Sequence, residues 1–270
     1  MRKIVGISQK IKRAWLDVVL DEFVQTTDEK EVRAFLNEYL RKELPGTESR
    51  AKASGIVLRI WSGVDRQHVS LQHRAVGLMP RISGQERIWL HWGMATLAYP
   101  FFRDLSEVVG RLLALQDDFT TMQVQARMLT AWGDRTTTKE AVQKLITSLL
   151  DWEVLRSRKQ GHFFLAGKLT TGVIELQLWL LEALLRATAV EEVEVHQLLR
   201  LPESFPFKFT ASLGDLRKSE GFNIHRQGLD MDMVVVRRAA VERMMTSAAK
   251  QRKPKQPGTG NSEQTNLFGT

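Results

Sequence analysis

The sequence predicts a mainly α fold: a helical bundle, a helix-turn-helix segment with a hairpin, a small strand-containing C-terminal part, and a disordered tail. Three observations predict it. Apolar residues recur every three or four positions through most of the chain up to Leu201, the spacing that gathers them on one side of a helix. Strand-like alternation is confined to a stretch near residues 154–165 and to segments after Phe205. From Lys250 to Asn261 the chain is too rich in Lys, Gln, Pro, Gly and Ser to bury itself.

Taking the elements in order, Ile11, Trp15, Val18, Val19 and Phe23, then Val32, Phe35, Leu36, Tyr39 and Leu40, form the stripes of two amphipathic helices between Ser8 and Leu44. Thr26-Thr27-Asp28 supplies a turn and cap between them, and Pro45-Gly46 ends the second. A third helix runs from Ser49 to Trp61 and stops at Ser62-Gly63. A polar stretch leads to an apolar, Trp-rich helix from Gln85 to Leu97 with Pro100 close behind, and another helix follows from Phe102 to Leu115.

The middle of the chain changes character. Met122 to Trp132 reads as a helix and Gly133-Asp134-Arg135 as a turn. Thr137-Thr138-Lys139-Glu140 matches a capping box, in which a threonine hydroxyl and a glutamate three residues on satisfy each other's free amides. The helix it opens carries Val142, Leu145, Ile146, Leu149 and Trp152 on one face. Val154 to Leu165 then alternates as a short hairpin with a basic tip.

Thr171 to Arg186 is apolar enough to be buried on most sides. A short helix is expected over Glu191 to Leu201 and another over Ala211 to Lys218, with strands at Phe205–Phe209, Phe222–His225 and Met231–Val236. The domains expected are therefore a bundle over 1–118, the helix-turn-helix segment over 119–170, the C-terminal part over 171–240 and the tail over 250–270.

At 270 residues and 43% hydrophobic, the chain can bury one sizeable core or two modest ones. Its net charge is +8, of which Lys250 onward contributes +3, so the body is itself basic. A sequence pI near 9.8 favours a polyanionic partner, nucleic acid before an anionic membrane surface. With no cysteine, disulfides, thiolate metal sites and cysteine nucleophiles are excluded. The start of the chain lacks a signal-peptide pattern, and no stretch reaches the length of a membrane span, so a cytoplasmic protein with no membrane partner is expected.

A helix, a tight turn, a capped second helix and a basic hairpin make the profile of a winged helix-turn-helix. Reading duplex DNA requires small polar or basic side chains near the start of the second helix, where free amides and the helix dipole attract phosphate. Thr136, Thr137, Thr138, Lys139, Gln143 and Lys144 meet that requirement. Cations on the hairpin must straddle the backbone, and Arg156, Arg158 and Lys159 supply them, with Gly161 allowing the tight tip. Winged helices also serve as protein-interaction modules, so a scaffold subunit is the alternative.

No catalytic set or cofactor site stands out. The Gly161–Lys168 stretch has the wrong spacing for a phosphate-binding loop, with Leu169 where Ser or Thr belongs. The six histidines lack zinc-site spacing. Asp230 and Asp232 share a strand face but have no third ligand nearby. The tryptophans lie mostly on apolar stripes; Trp61, beside Arg59 and Arg66, is a candidate for stacking on a base but fits core packing better.

Two resemblances follow from these residues. The basic Glu48-Ser49-Arg50-Ala51-Lys52 opening of the third helix, the Trp-rich helix pair, the Thr138-Lys139-Glu140-Ala141-Val142-Gln143-Lys144-Leu145 segment and the strand-like ending resemble, in layout over residues 8–165, the BrxA family of bacterial BREX phage-defence systems. That resemblance implies a DNA-binding accessory working with other defence-system subunits, and it transfers no catalytic residue. This chain departs from the family by continuing through Phe205–Arg238 and the tail. Within the tail, Gln264, two spacers and then Leu267 and Phe268 resemble the peptide that docks bacterial proteins on the replication sliding clamp, where a Leu-Phe pair fills an apolar pocket.

Overall fold

The gap read at Thr26–Asp28 is a helix boundary. In the computed structural model, which describes residues 4–26, 28–158, 161–188, 190–228 and 231–237, Thr26 closes α1 (Arg13–Gln25) and Asp28 caps α2 (Glu29–Arg41) by accepting the Lys30 N–H. Glu29 and Glu31 in the first turn of α2 and Arg41 in its last complement the helix dipole. The third helix, α3 (Thr47–Trp61), is followed by a helix that the polar stretch had hidden, α4 (Val69–Leu78). Its buried Gln72 satisfies its amide on the Trp61 carbonyl, which is why a polar residue is tolerated there. The Trp-rich helix is α5 (Arg87–Ala98), and Pro100 opens the next, α6 (Pro100–Leu115), at the position where its missing N–H costs nothing.

Next come a two-residue strand β1 (Phe119–Thr120), helix α7 (Thr121–Trp132), helix α8 (Thr136–Asp151) and the strands β2 (Leu155–Ser157) and β3 (His162–Leu165). The three strands form an antiparallel sheet in the order β1-β3-β2. The capping box expected at Thr137–Glu140 is not formed. Helix α8 already begins at Thr136, with Arg135 in the cap position and no side-chain cap, so Thr137 lies inside the first turn. The box sits instead on α7, where Thr120 and Gln123 satisfy each other's amides.

Helix α9 (Ile174–Ala187) is buried along most of its length. The helix expected over Glu191–Leu201 is half strand: β4 (Glu192–Glu194) precedes a single turn, α10 (Val195–Leu198). After α11 (Leu213–Lys218), β5 (Phe222–Gln227) and β6 (Met231–Val236) complete a second antiparallel sheet, order β4-β6-β5. Phe205–Phe209, expected as a strand, makes only an isolated parallel bridge from Phe207 to Leu169. Its phenylalanines are drawn into the core instead of a ladder.

The main core runs from Ile7 to Phe207 and includes side chains from α1 to α9. Residues 1–118 and 119–170 therefore share one core. Trp92 stands at an aromatic centre, with Phe102, Trp152, Phe205 and Phe207 around it at 5.0 to 6.2 Å between ring centroids. Gly110 lets α6 approach the Pro202 carbonyl more closely than any side chain would allow. A second, smaller core joins α9 to the second sheet through Leu181, Leu185, Leu216, Phe222 and Val234. Among the described residues no helix is long and apolar enough to cross a membrane.

Candidate nucleic-acid interface

Helices α7 and α8 are held at their turn by several independent ties. The Gly133 N–H caps α7 by donating to the Leu129 carbonyl, and Gly133 takes a φ of 91° that favours glycine. Arg135 donates to the Trp132 carbonyl at 2.6 Å, and Gln125 on α7 donates to the Lys139 carbonyl on α8 at 3.1 Å. Trp132 in turn donates its indole N–H to Asp104 on α6 at 2.9 Å. The start of α8 is thus fixed relative to α6 and α7.

On that helix Thr136, Thr137, Lys139, Gln143 and Lys144 are exposed, whereas Thr138 is fully buried. This corrects the expectation that Thr138 faces a ligand. Residues 138, 142, 145 and 149 follow one another at helical spacing, so Thr138 belongs to the stripe of Val142, Leu145 and Leu149 and could have been placed inside from the phase alone. Its hydroxyl has no hydrogen-bond partner among the described residues.

In the hairpin, Arg156 pairs with Phe164 across the ladder, and Leu155 pairs with Leu165. Period-two alternation sends Leu155 and Phe163 into the core and leaves Arg156, Arg158, His162 and Phe164 on the outer face. The Arg158 guanidinium lies over the Phe164 ring, 4.6 Å from its centroid. Gly161, with a φ of 76°, makes the turn into β3. Lys159 lies outside the described residues, as do Gln264, Leu267 and Phe268 of the tail.

Two acidic side chains meet these exposed cations. Asp118, immediately before β1, lies 3.1 Å from His162 Nδ1 and 3.6 Å from Arg158. Asp134, in the turn, lies 2.9 Å from Lys139 Nζ. Arg156 and Lys144 have no ion-pair partner among the described residues. Neither aspartate's role is legible in the sequence, because both sit in connections and meet their partners only in the fold.

Away from this face, three other places hold polar groups. The residues near Asp230 are separated into sheet ion pairs: His225 with Glu192 at 3.0 Å and Asp232 with Arg217 at 2.9 Å, Asp230 itself lying outside the described residues. No group of three or more His, Asp or Glu that could hold a metal occurs among the described residues. Trp61 is fully buried and packs on His91, so it offers no stacking surface. A groove of about 940 Å³ lies between α4, α9 and α11, with Trp179 and Leu178 in its floor and the Arg74–Glu182 and Arg81–Glu175 pairs across it. It went unseen in the sequence because α4 did.

Comparison with protein-family models, with curated proteins and with solved structures returned no match, so the site rests on its own geometry.

Proposed function

We propose that the protein is a non-enzymatic DNA-binding accessory that holds duplex DNA through a winged-helix face formed by α8 and the β2–β3 hairpin. The observation that carries this reading is the order helix α6, strand β1, helix α7, turn, helix α8, hairpin, with sheet order β1-β3-β2, in a basic chain. In such an arrangement the second helix enters the major groove and the hairpin rides the adjacent backbone. Thr136, Thr137, Gln143 and Lys144 stand exposed for the first task, and Arg156 and Arg158 for the second. Most of the affinity comes from phosphate contacts and is steeply salt-dependent.

The setting we propose is the bacterial cytoplasm, in a BREX-like phage-defence system, on the layout that resembles the BrxA family. The tail peptide Gln264, Leu267 and Phe268 would add a weak contact to the sliding clamp and raise the local concentration of the body at replicating DNA. Its support is the spacing of those residues alone.

A second reading, a protein-interaction scaffold within a defence or mobile-element complex, is favoured by Leu115 and Met122. These large apolar side chains bracket β1 and are 84% and 76% exposed. It expects a neighbouring subunit to bind more tightly than any DNA.

The deciding experiment is fluorescence-anisotropy titration of labelled duplex DNA at two salt concentrations, with the full chain and with a truncation ending at Ala249. Steeply salt-dependent binding that survives truncation supports the winged-helix reading. Binding that disappears with the tail overturns it in favour of the scaffold.

A further inference from the structure

We infer that Asp118 and Asp134 are internal counter-charges that engage two of the interface's own cations and so limit its affinity for phosphate. The inference rests on the DNA-binding reading above. Asp118 sets one carboxylate oxygen 3.6 Å from Arg158 and the other 3.1 Å from His162, and Asp134 lies 2.9 Å from Lys139. The ordinary helix staples of this protein, such as Glu29 with Arg33 or Glu48 with Lys52, join residues four apart on one helix. These two differ, because each brings a carboxylate from a connection onto an exposed cation, Arg158 of the hairpin or Lys139 of α8.

The partners are well solvated: the side chains of Arg158 and Lys139 are 59% and 49% exposed. Ion pairs so placed add little to fold stability. Their effect falls instead on any anion that approaches. A carboxylate and a phosphate are both oxyanions that seek the same N–H donors, so DNA must exchange an internal partner for an external one at Arg158 and Lys139. The displaced carboxylates then remain close to the phosphates and repel them. Among the described residues Arg156 and Lys144 carry no such partner, which leaves them available at once. The result is an interface whose non-specific, phosphate-driven affinity is held down, leaving a larger share of the discrimination to groups such as Gln143 that can reach base edges.

The test is a salt series of anisotropy titrations on two unrelated duplexes with Asp118→Asn, Asp134→Asn and the double variant. The double variant should bind both duplexes roughly three- to tenfold more tightly at low salt, the scale of two released exposed pairs. The slope of log affinity against log salt should steepen by up to about 1.8, for two further phosphate contacts. The gain from Asp118→Asn should be clearly smaller in an Arg158→Ala background; a gain of undiminished size there is a general charge effect and overturns the inference. Equal or weaker binding by the double variant overturns it too, and leaves the DNA-binding reading intact as long as the wild type binds and loses affinity on Arg156→Ala and Arg158→Ala. If neither the wild type nor the double variant binds DNA, both fall.

Discussion

Trp61 donates its indole N–H to Nδ1 of His91 at 3.1 Å, inside the core. That contact fixes the tautomer: Nδ1 is the acceptor, so Nε2 carries the proton and donates to Asp17 at 3.1 Å. Burial holds the His91 pKa below the ordinary imidazole value, although the Asp17 carboxylate pulls the other way. Asp17 is pushed up by burial, but the His91 hydrogen bond and the nearby Arg13 and Arg87 outweigh this and hold it below the usual carboxylate range.

The first prediction follows from the sign of that shift. A neutral His91 in the fold and an imidazole titrating near 6.5 when unfolded mean that the unfolded state binds the extra proton. The stability His91 confers is complete above pH ~6.5 and is lost as pH falls below it, toward its folded pKa. Asp17 contributes to acid loss only lower, as pH falls through the carboxylate range. Thermal melts between pH 7.5 and 5 should show the wild type losing stability more steeply than His91→Gln. The variant itself should be less stable at pH 7.5, by about 1–3 kcal/mol for the broken relay. Parallel pH profiles would show that the proton is taken up elsewhere.

A second prediction concerns Glu182, whose buried carboxylate lies between Arg74 and Arg186. The Arg186 side chain is 8% exposed and bonds Glu182 at 2.9 Å from Nε, while that of Arg74 is 45% exposed. Replacing the buried partner strands a buried charge; replacing the exposed one lets water take its place. Arg186→Met should therefore cost about 3–5 kcal/mol in denaturant unfolding, and Arg74→Ala no more than about 1 kcal/mol. Similar losses for both would contradict this division of labour.

The third prediction uses the buried Thr138 hydroxyl, which has no hydrogen-bond partner among the described residues. Such a group carries its desolvation cost without return, and valine has the same shape without the hydroxyl. Thr138→Val should raise stability by about 1 kcal/mol and leave DNA affinity unchanged. A drop in DNA affinity with no change in melting temperature would return Thr138 to the interface.

These residues also show what the sequence made legible. Helices with strong stripes, such as Trp15, Val19 and Phe23 on α1, were readable because their burial repeats with the helix period. Helix α4 was not, because Gln72 breaks its stripe and is satisfied by a carbonyl eleven residues back, a tertiary fact. The Phe205–Phe209 alternation looks like a strand, yet Phe205 and Phe207 pack around Trp92, and the segment's backbone bonds are local ones to Pro202 and Ser204 and a pair with Leu169 in place of a ladder. Patterning reports which side chains are buried, not which backbone will pair with them. At the candidate interface the cations Arg156 and Arg158 were visible from the hairpin profile, whereas the aspartates beside them were not, since a contact such as that of Asp118 with Arg158 spans connections that only folding brings together.

The last prediction concerns the hairpin itself. Arg156 and Arg158 occupy one outer face with Phe164, and the ring under the Arg158 guanidinium restrains it while leaving donors toward solvent. Arginines that contact phosphate support every sequence equally, so Arg156→Ala with Arg158→Ala should weaken binding to unrelated duplexes by the same factor. The salt slope should fall by between about 1 and 2: a full phosphate contact at Arg156, and one at Arg158 that Asp118 partly offsets. Lys144→Ala tests the helix side in the same way and should lower the slope by about 1 if Lys144 meets a phosphate. Gln143→Ala should behave differently, because a side chain that reads a base edge changes the preference between duplexes and leaves the slope alone. A hairpin variant with unchanged affinity and unchanged slope would remove β2 and β3 from the interface and direct attention to Leu115 and Met122 as the working surface.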